Sequence, residues 1–141
     1  MTPCHQFPRE IIAFVEHGLW GGRRQFGEAT AMGWADETGI VAGLVWHDYN
    51  PDHGTIELSA YSTRRDWCSK SILREMFAYP FDQLGLRMVC ARHDAANRRA
   101  RRIWKSFGAT EVILPRLRGD NADEAVALLH RDDWRNSKFM R

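Results

Sequence analysis

The sequence is poor in cysteine, in lysine and in long apolar runs, and each shortage excludes a class of protein. Cys4, Cys68 and Cys90 are an odd number with no close pair, which argues against a disulfide framework and against a cysteine-based zinc site. The longest apolar run, Ile40 to Trp46, falls far short of the ~20 residues a membrane helix needs, so no membrane role is expected. The chain does not open on a basic start, an apolar stretch and a small-residue cleavage site, so the expected compartment is the cytoplasm. Neither His-Glu-x-x-His nor the G-x-S-x-G elbow of serine hydrolases occurs. His47, Asp48, Asp52 and His53 cluster around one turn and His93-Asp94 form a second pair, but without a metal-ligand spacing, so no metal is expected.

What is present describes one domain over residues 1–141. The 141 residues are 44% apolar and 27% charged, an ordinary globular composition with enough chain for a single core. The net charge is only +2, but it is unevenly distributed. Residues 1–62 carry three arginines against eight acidic side chains, whereas residues 85–118 carry nine basic side chains against two acidic ones. Seventeen of the twenty basic residues are arginine, whose planar fork suits phosphate. On composition alone two readings stay open for this stretch: contact with an anionic partner, or a solvated helix face.

Hydrophobic periodicity divides the chain into a run of strands and then alternating helices and strands. Pro8 opens a first helix with Ile11, Ile12, Phe14 and Val15 on its apolar side, and Gly18 is its expected stop. Residues 19–27 read as a loop. Strands are expected at Glu28–Ala35, Ile40–His47 and Thr55–Tyr61, the last with Glu57, Ser59 and Tyr61 on the face opposite Ile56 and Leu58. Asp66 is the expected cap of a second helix, distorted by Pro80 and ended by Gly85. A strand follows at Leu86–Arg92, then a helix capped by Asp94 and stopped by Gly108, then strands at Thr110–Leu114 and Glu124–His130. The pattern predicts a mixed α/β fold with helices flanking a largely antiparallel sheet.

A strand that runs through a basic loop into a helix is a ready anion site, because the helix N-terminus exposes unpaired amides and the positive end of its dipole. Here that junction is Arg64-Arg65-Asp66-Trp67-Cys68-Ser69-Lys70, where Arg64, Arg65 and Lys70 can add charge-assisted contacts. The alternative is that Asp66 simply caps the helix and the arginines are solvated. Downstream, Asn97, Ala100, Trp104 and Gly108-Ala109 recur at helical spacing, and Asp123-Glu124-Ala125-Val126-Ala127-Leu128-Leu129 runs on to Asp133-Trp134.

Element order and these segments together resemble the GNAT family of N-acetyltransferases over roughly residues 28–135. The final segment resembles its ribosomal-protein acetyltransferase branch. The resemblance implies a single acyltransferase-like domain that uses acetyl-CoA (coenzyme A) to acylate a primary amine. It places the cofactor's pyrophosphate on Arg64, Arg65, Trp67, Cys68, Ser69 and Lys70, its pantetheine arm along the backbone at Leu58, Ser59 and Ala60, and further contacts at Asn97 and Trp104. Trp67 stands where the family has a loop glycine, so the phosphate loop is divergent. Trp104 stands where the family has a tyrosine acid, and an indole N–H donates a hydrogen bond without being a useful acid. The resemblance makes Glu57 the base that takes a proton from the amine, with Tyr61 as the alternative acid. Monomer and homodimer are both compatible with it. A rival reading from another class is a nucleic-acid-binding or nucleic-acid-modifying protein that uses the arginine-rich helix over residues 97–105.

Overall fold

The computed structural model describes residues 1–141 and contains the expected class, a mixed α/β chain with largely antiparallel strands and flanking helices. Its contacts group into two compact units, one of residues 1–49 with 57–76, the other of residues 50–56 with 77–141.

In the first unit the strands β1 (Thr2–Pro3), β2 (Ala29–Asp36), β3 (Gly39–Asn50) and the Glu57–Ser62 part of β4 (Thr55–Ser62) lie in that order. The β1/β2 and β2/β3 ladders are antiparallel. Helix α1 (Pro8–Trp20) covers them through Ile11 and Val15, both fully buried. Its close approach depends on two strand glycines. A Cβ at Gly33 would stand 2.7 Å from Ile11 Cγ1, and one at Gly43 would stand 3.0 Å from Ile11 Cγ2 and from Val15 Cγ2. Gly18 does not stop α1: the helix runs on to Trp20 and ends at Gly21, which takes the left-handed conformation at φ 61°. Gly18 instead leaves room for the Tyr61 ring, with which a Cβ there would overlap.

The second unit carries strands β5 (Met88–Asp94), β7 (Ala122–His130) and β6 (Thr110–Gly119) in that spatial order, both ladders antiparallel. Strand β6 extends five residues past its expected end because Arg116, at φ 60°, absorbs a register shift between Leu114 and Gly119. Helix α3 (Arg98–Phe107) and a short helix α4 (Arg131–Arg135), which the periodicity did not show, pack with β7. Their core is aromatic. Phe77 lies 4.5 Å from Trp134, 5.4 Å from Phe107 and 5.9 Å from Trp104, ring centre to ring centre.

Two expected caps are corrected. Helix α2 (Lys70–Ala78) starts four residues after Asp66, and it is Ser69 Oγ that accepts from the Ile72 amide at 3.2 Å. Helix α3 is capped by Asn97, whose side chain accepts from the Ala100 amide at 3.1 Å, while Asp94 holds the preceding turn through the Ala96 amide. Both errors have one cause: the carboxylates already had nearer partners. Pro80 acts as expected, since α2 passes into a π-helical turn over Tyr79–Gln83.

The glycine contacts give a direct test. Gly33→Ala forces a methyl group against the fully buried Ile11 side chain, an overpacking cost of about 1–3 kcal/mol. Thermal unfolding should show a Tm lower by about 3 °C or more, with far-UV circular dichroism unchanged.

Candidate active site

The expected base lies in the first unit, on the face of β4 that also carries Ser59 and Tyr61; Ile56 and Leu58 are buried on the other face. Strand alternation sets this arrangement, since side chains two apart share a face. Glu57 does not act alone there. His47, on β3, brings its Nε2 to 3.7 Å from Glu57 Oε2 and 2.8 Å from Ser59 Oγ, while its Nδ1 lies 2.6 Å from Asp48 Oδ2. The imidazole is only 11% exposed. Asp48 reaches back to the preceding residue because its backbone is left-handed, φ 52°, a conformation that aspartate tolerates better than most residues.

An aromatic wall closes over the imidazole. The Phe26 ring lies 4.9 Å from that of His47, Trp20 lies 4.7 Å from Phe26, and Arg24 sits over the Trp20 ring at 4.6 Å. Glu16 on α1 pins this loop by accepting from the Phe26 amide at 2.7 Å. Tyr61, the alternative acid, packs its ring against Phe14 at 5.5 Å.

The carboxylate–histidine cluster is also the group nearest to a metal site, with ligand atoms of His47, Asp48 and Glu57 all within 4.8 Å of one another. It fits an ion poorly. Both ring nitrogens already hold hydrogen-bond partners, on opposite sides of the ring, and a metal would have to displace one.

The basic junction after β4 is more committed than the sequence implied. Arg64 forks onto Asp66, with Nη2 at 2.6 Å and Nε at 2.9 Å, and its Nη1 reaches Asp36 at 3.3 Å. The hydrogen bond from Arg64 holds the Asp66 carboxyl below its ordinary range; Asp36 is held low first by Thr38, with Arg64 adding to it. The Trp67 indole, the departure in the loop, packs 5.7 Å from the buried Trp34 ring. Ser69 Oγ is occupied as the α2 cap, and Cys68 is a partly buried thiol outside any disulfide. Arg65 and Lys70 complete the segment.

The two remaining cofactor candidates belong to the second unit. Asn97 is engaged as the α3 cap, and the Trp104 ring stands edge-on to Phe77 and Phe107 in the aromatic core. Beside α3 lies a cleft of about 430 Å³ lined by Arg98, Arg101, Arg102, Trp104, Lys105 and Glu111, among others. Arg101 is neutralised there by Glu111 at 2.7 and 2.9 Å and also donates to the Ala95 carbonyl. Burial pushes the nearby His93 imidazole below its ordinary value.

Sequence reasoning placed Glu57, Ser59 and Tyr61 on one face but missed His47 as their partner. The available signal was that His47 closes an apolar strand whose alternate residues meet α1; its inclusion in a polar turn cluster hid that.

No family model and no curated protein matches the chain. Solved structures do, and what they share with the chain is a fold. A structure described as "Probable acetyltransferase" superposes at TM-score 0.63 with 15% identity, over 76% of this chain and 64% of its own length. The spermidine N-acetyltransferase SpeG F149A mutant from Vibrio cholerae superposes at 0.65 with 13% identity, over 84% of this chain and 75% of its own. A dodecameric form of the V. cholerae spermidine enzyme gives 0.66 with 14% identity, over 77% of this chain and 68% of its own. The chain thus spans less than two thirds of the first of these, and the likeness is one of fold.

The Arg64 fork has a measurable consequence. Asp66 should titrate below the ordinary carboxylate range and return to it in Arg64→Met, as followed by side-chain carboxyl ¹³C shifts. A carboxyl held low in the folded state stabilises above its ordinary value and loses that contribution as pH falls through the folded value. The native chain should therefore lose more stability than Arg64→Met on acidification below about pH 4.

Proposed function

We propose that the chain is an acyl-CoA-dependent N-acyltransferase of the GNAT type that transfers an acetyl group to a primary amine. The observation that carries this reading is Glu57 beside His47, on a strand face roofed by Trp20 and Phe26 and continuing into a basic strand–helix junction. Glu57 takes the ammonium proton so that the amine has a lone pair with which to attack. The backbone at Leu58, Ser59 and Ala60 would align the thioester. Arg65, Lys70 and the α2 N-terminus would hold the pyrophosphate, with Trp67 turned onto Trp34 and Arg64 held by Asp66. Acetyl-CoA, when bound, would supply the activated acyl group and a thiolate leaving group. Tyr61 would protonate that thiolate, and Asn97 and Trp104 are proposed as further cofactor contacts. The ribosomal-protein acetyltransferase branch and a cytoplasmic setting belong to the same proposal; no helix here is long and apolar enough to cross a membrane. Spermidine, the acceptor named for the V. cholerae structures, is the first amine to test, because Asp48 and Glu57 present carboxylates to a cation.

Acetyl-CoA at ten times its dissociation constant should stabilise the fold by roughly 1.4 kcal/mol; an unmoved melting curve at saturating cofactor would refute the cofactor reading. With an acceptor in hand, Glu57→Gln should lower the rate at neutral pH by a factor of ~100 or more, and raising the pH should partly restore it.

A second reading is favoured by one observation. Arg98, Arg102 and Lys105 line the α3 cleft without an ion pair, and positions 98 and 102 share a helix face. That stripe fits a nucleic-acid backbone. Binding to duplex DNA or single-stranded RNA should then fall with salt at a log–log slope of about −2 to −3, and Arg98→Ala with Arg102→Ala should flatten it. No measurable binding at low salt would return the stripe to a solvated face.

A further inference from the structure

We propose that Asp48, His47 and Ser59 form a charge-relay triad that makes the Ser59 hydroxyl an acyl acceptor. The chain would then carry an acyl group on its own serine before passing it to an amine or to water. This goes beyond direct transfer to an amine, and it rests on the acyl-transfer reading only for the identity of the natural donor.

The argument begins with what each group can donate. An ionised carboxylate accepts hydrogen bonds and donates none, so the 2.6 Å contact to Asp48 Oδ2 places the ring proton of neutral His47 on Nδ1. Nε2 is then a bare lone pair. At 2.8 Å from it, Ser59 Oγ must be the donor, with its proton on the line to the nitrogen. A hydroxyl bonded to a base that is itself oriented by a carboxylate is the arrangement that activates serine nucleophiles, recognised by geometry and roles rather than by sequence position. The absence of a G-x-S-x-G elbow is therefore no objection, since the serine here sits on a strand. The ring is shielded from solvent by Phe26 and is 11% exposed, which strengthens these electrostatic contacts. Glu57 Oε2, at 3.7 Å from Nε2, adds a second negative charge for the imidazolium that forms.

The step balances within the chain and its donor. Ser59 Oγ attacks the carbonyl carbon of a thioester or activated ester while its proton passes to His47 Nε2. The carbonyl electron pair moves onto oxygen, then returns and breaks the bond to the leaving sulfur or oxygen. That atom leaves with the proton from Nε2, and an ester on Ser59 remains. An amine or a water then attacks this ester, gives its proton to Nε2, and Ser59 Oγ regains a proton as it leaves. Nothing is oxidised or reduced.

The probe is p-nitrophenyl acetate, an activated ester that needs no coenzyme A site. Mixed with the full chain, it should release a burst of about one p-nitrophenolate per chain. The acetyl group should map by peptide mass spectrometry to the β4 peptide at Ser59. Ser59→Ala should abolish both, and Asp48→Asn, on an exposed side chain, should slow the burst by at least about 100-fold. His47→Gln should do the same, with circular dichroism confirming its fold. A burst that survives Ser59→Ala, or acetyl groups found only on lysines, overturns the proposal. Acylation of Ser59 in a chain whose melting curve ignores acetyl-CoA would uphold the triad and remove the cofactor reading; the opposite pair of results would do the reverse.

Discussion

Helix α1 approaches strands β2 and β3 most closely where they carry no side chain, while Ile11 also packs with Ala31. Gly33 and Gly43 supply that bare surface, and Gly18 on the helix supplies the matching gap for the Tyr61 ring. Everything at the candidate site depends on this approach. It sets how far Trp20, at the end of α1, stands above the sheet, and so where the following loop can bring Phe26. It also places Glu16 to fix the Phe26 amide, which seats that ring on His47. A bulkier residue at Gly33 or Gly43 would lift the helix and, with it, the aromatic wall. Three glycines therefore bear on the candidate site through packing alone.

Much of the fold was legible because strands and helices here follow their periods. Glu57, Ser59 and Tyr61 alternate with Ile56 and Leu58 as a half-buried strand requires, and the structure keeps that facing. Boundaries were less legible where two residues competed for one role. Asp66 and Ser69 are both good cap residues, and nothing local shows that Arg64 removes Asp66 from the competition. The extension of β6 was hidden by Pro115, a residue that ordinarily ends a strand, and by the left-handed backbone of Arg116, which sequence does not announce. Helix α4 is five residues long, too short for any periodic pattern, and exists because Trp134 is drawn into the aromatic core beside Phe77 and Phe107.

The site itself was half legible for a related reason. A base candidate can be read from one strand, but a base with partners needs two strands in register. Asp48 adds a further obstacle, because its carboxylate turns back on His47 only through a backbone conformation that sequence does not announce. The arginine-rich stretch shows the converse. Seventeen arginines invite an anionic partner, yet Arg64 at the junction and Arg101 on α3 are spent on carboxylates of the same chain. Along α3, Arg98, Arg102 and Lys105 line the cleft without an ion pair, and only geometry separates them from Arg101.

Two proton acceptors on one face need a division of labour. Glu57 Oε2 and His47 Nε2 are 3.7 Å apart, close enough that a proton taken by one lies beside the other. If His47 takes a proton, the carboxylate of Glu57 stabilises the imidazolium; if Glu57 takes it, the neutral imidazole stays bonded to Ser59. In the proposed direct transfer an amine would use Glu57 and leave the triad idle, whereas in the proposed acyl-serine route Ser59 would use the triad and leave Glu57 as a counter-charge. The same four side chains thus support two orders of proton transfer. Under these proposals, the choice between them would turn on whether the amine or the serine oxygen reaches the carbonyl carbon first, since the nucleophile nearest in position gains most from being held there.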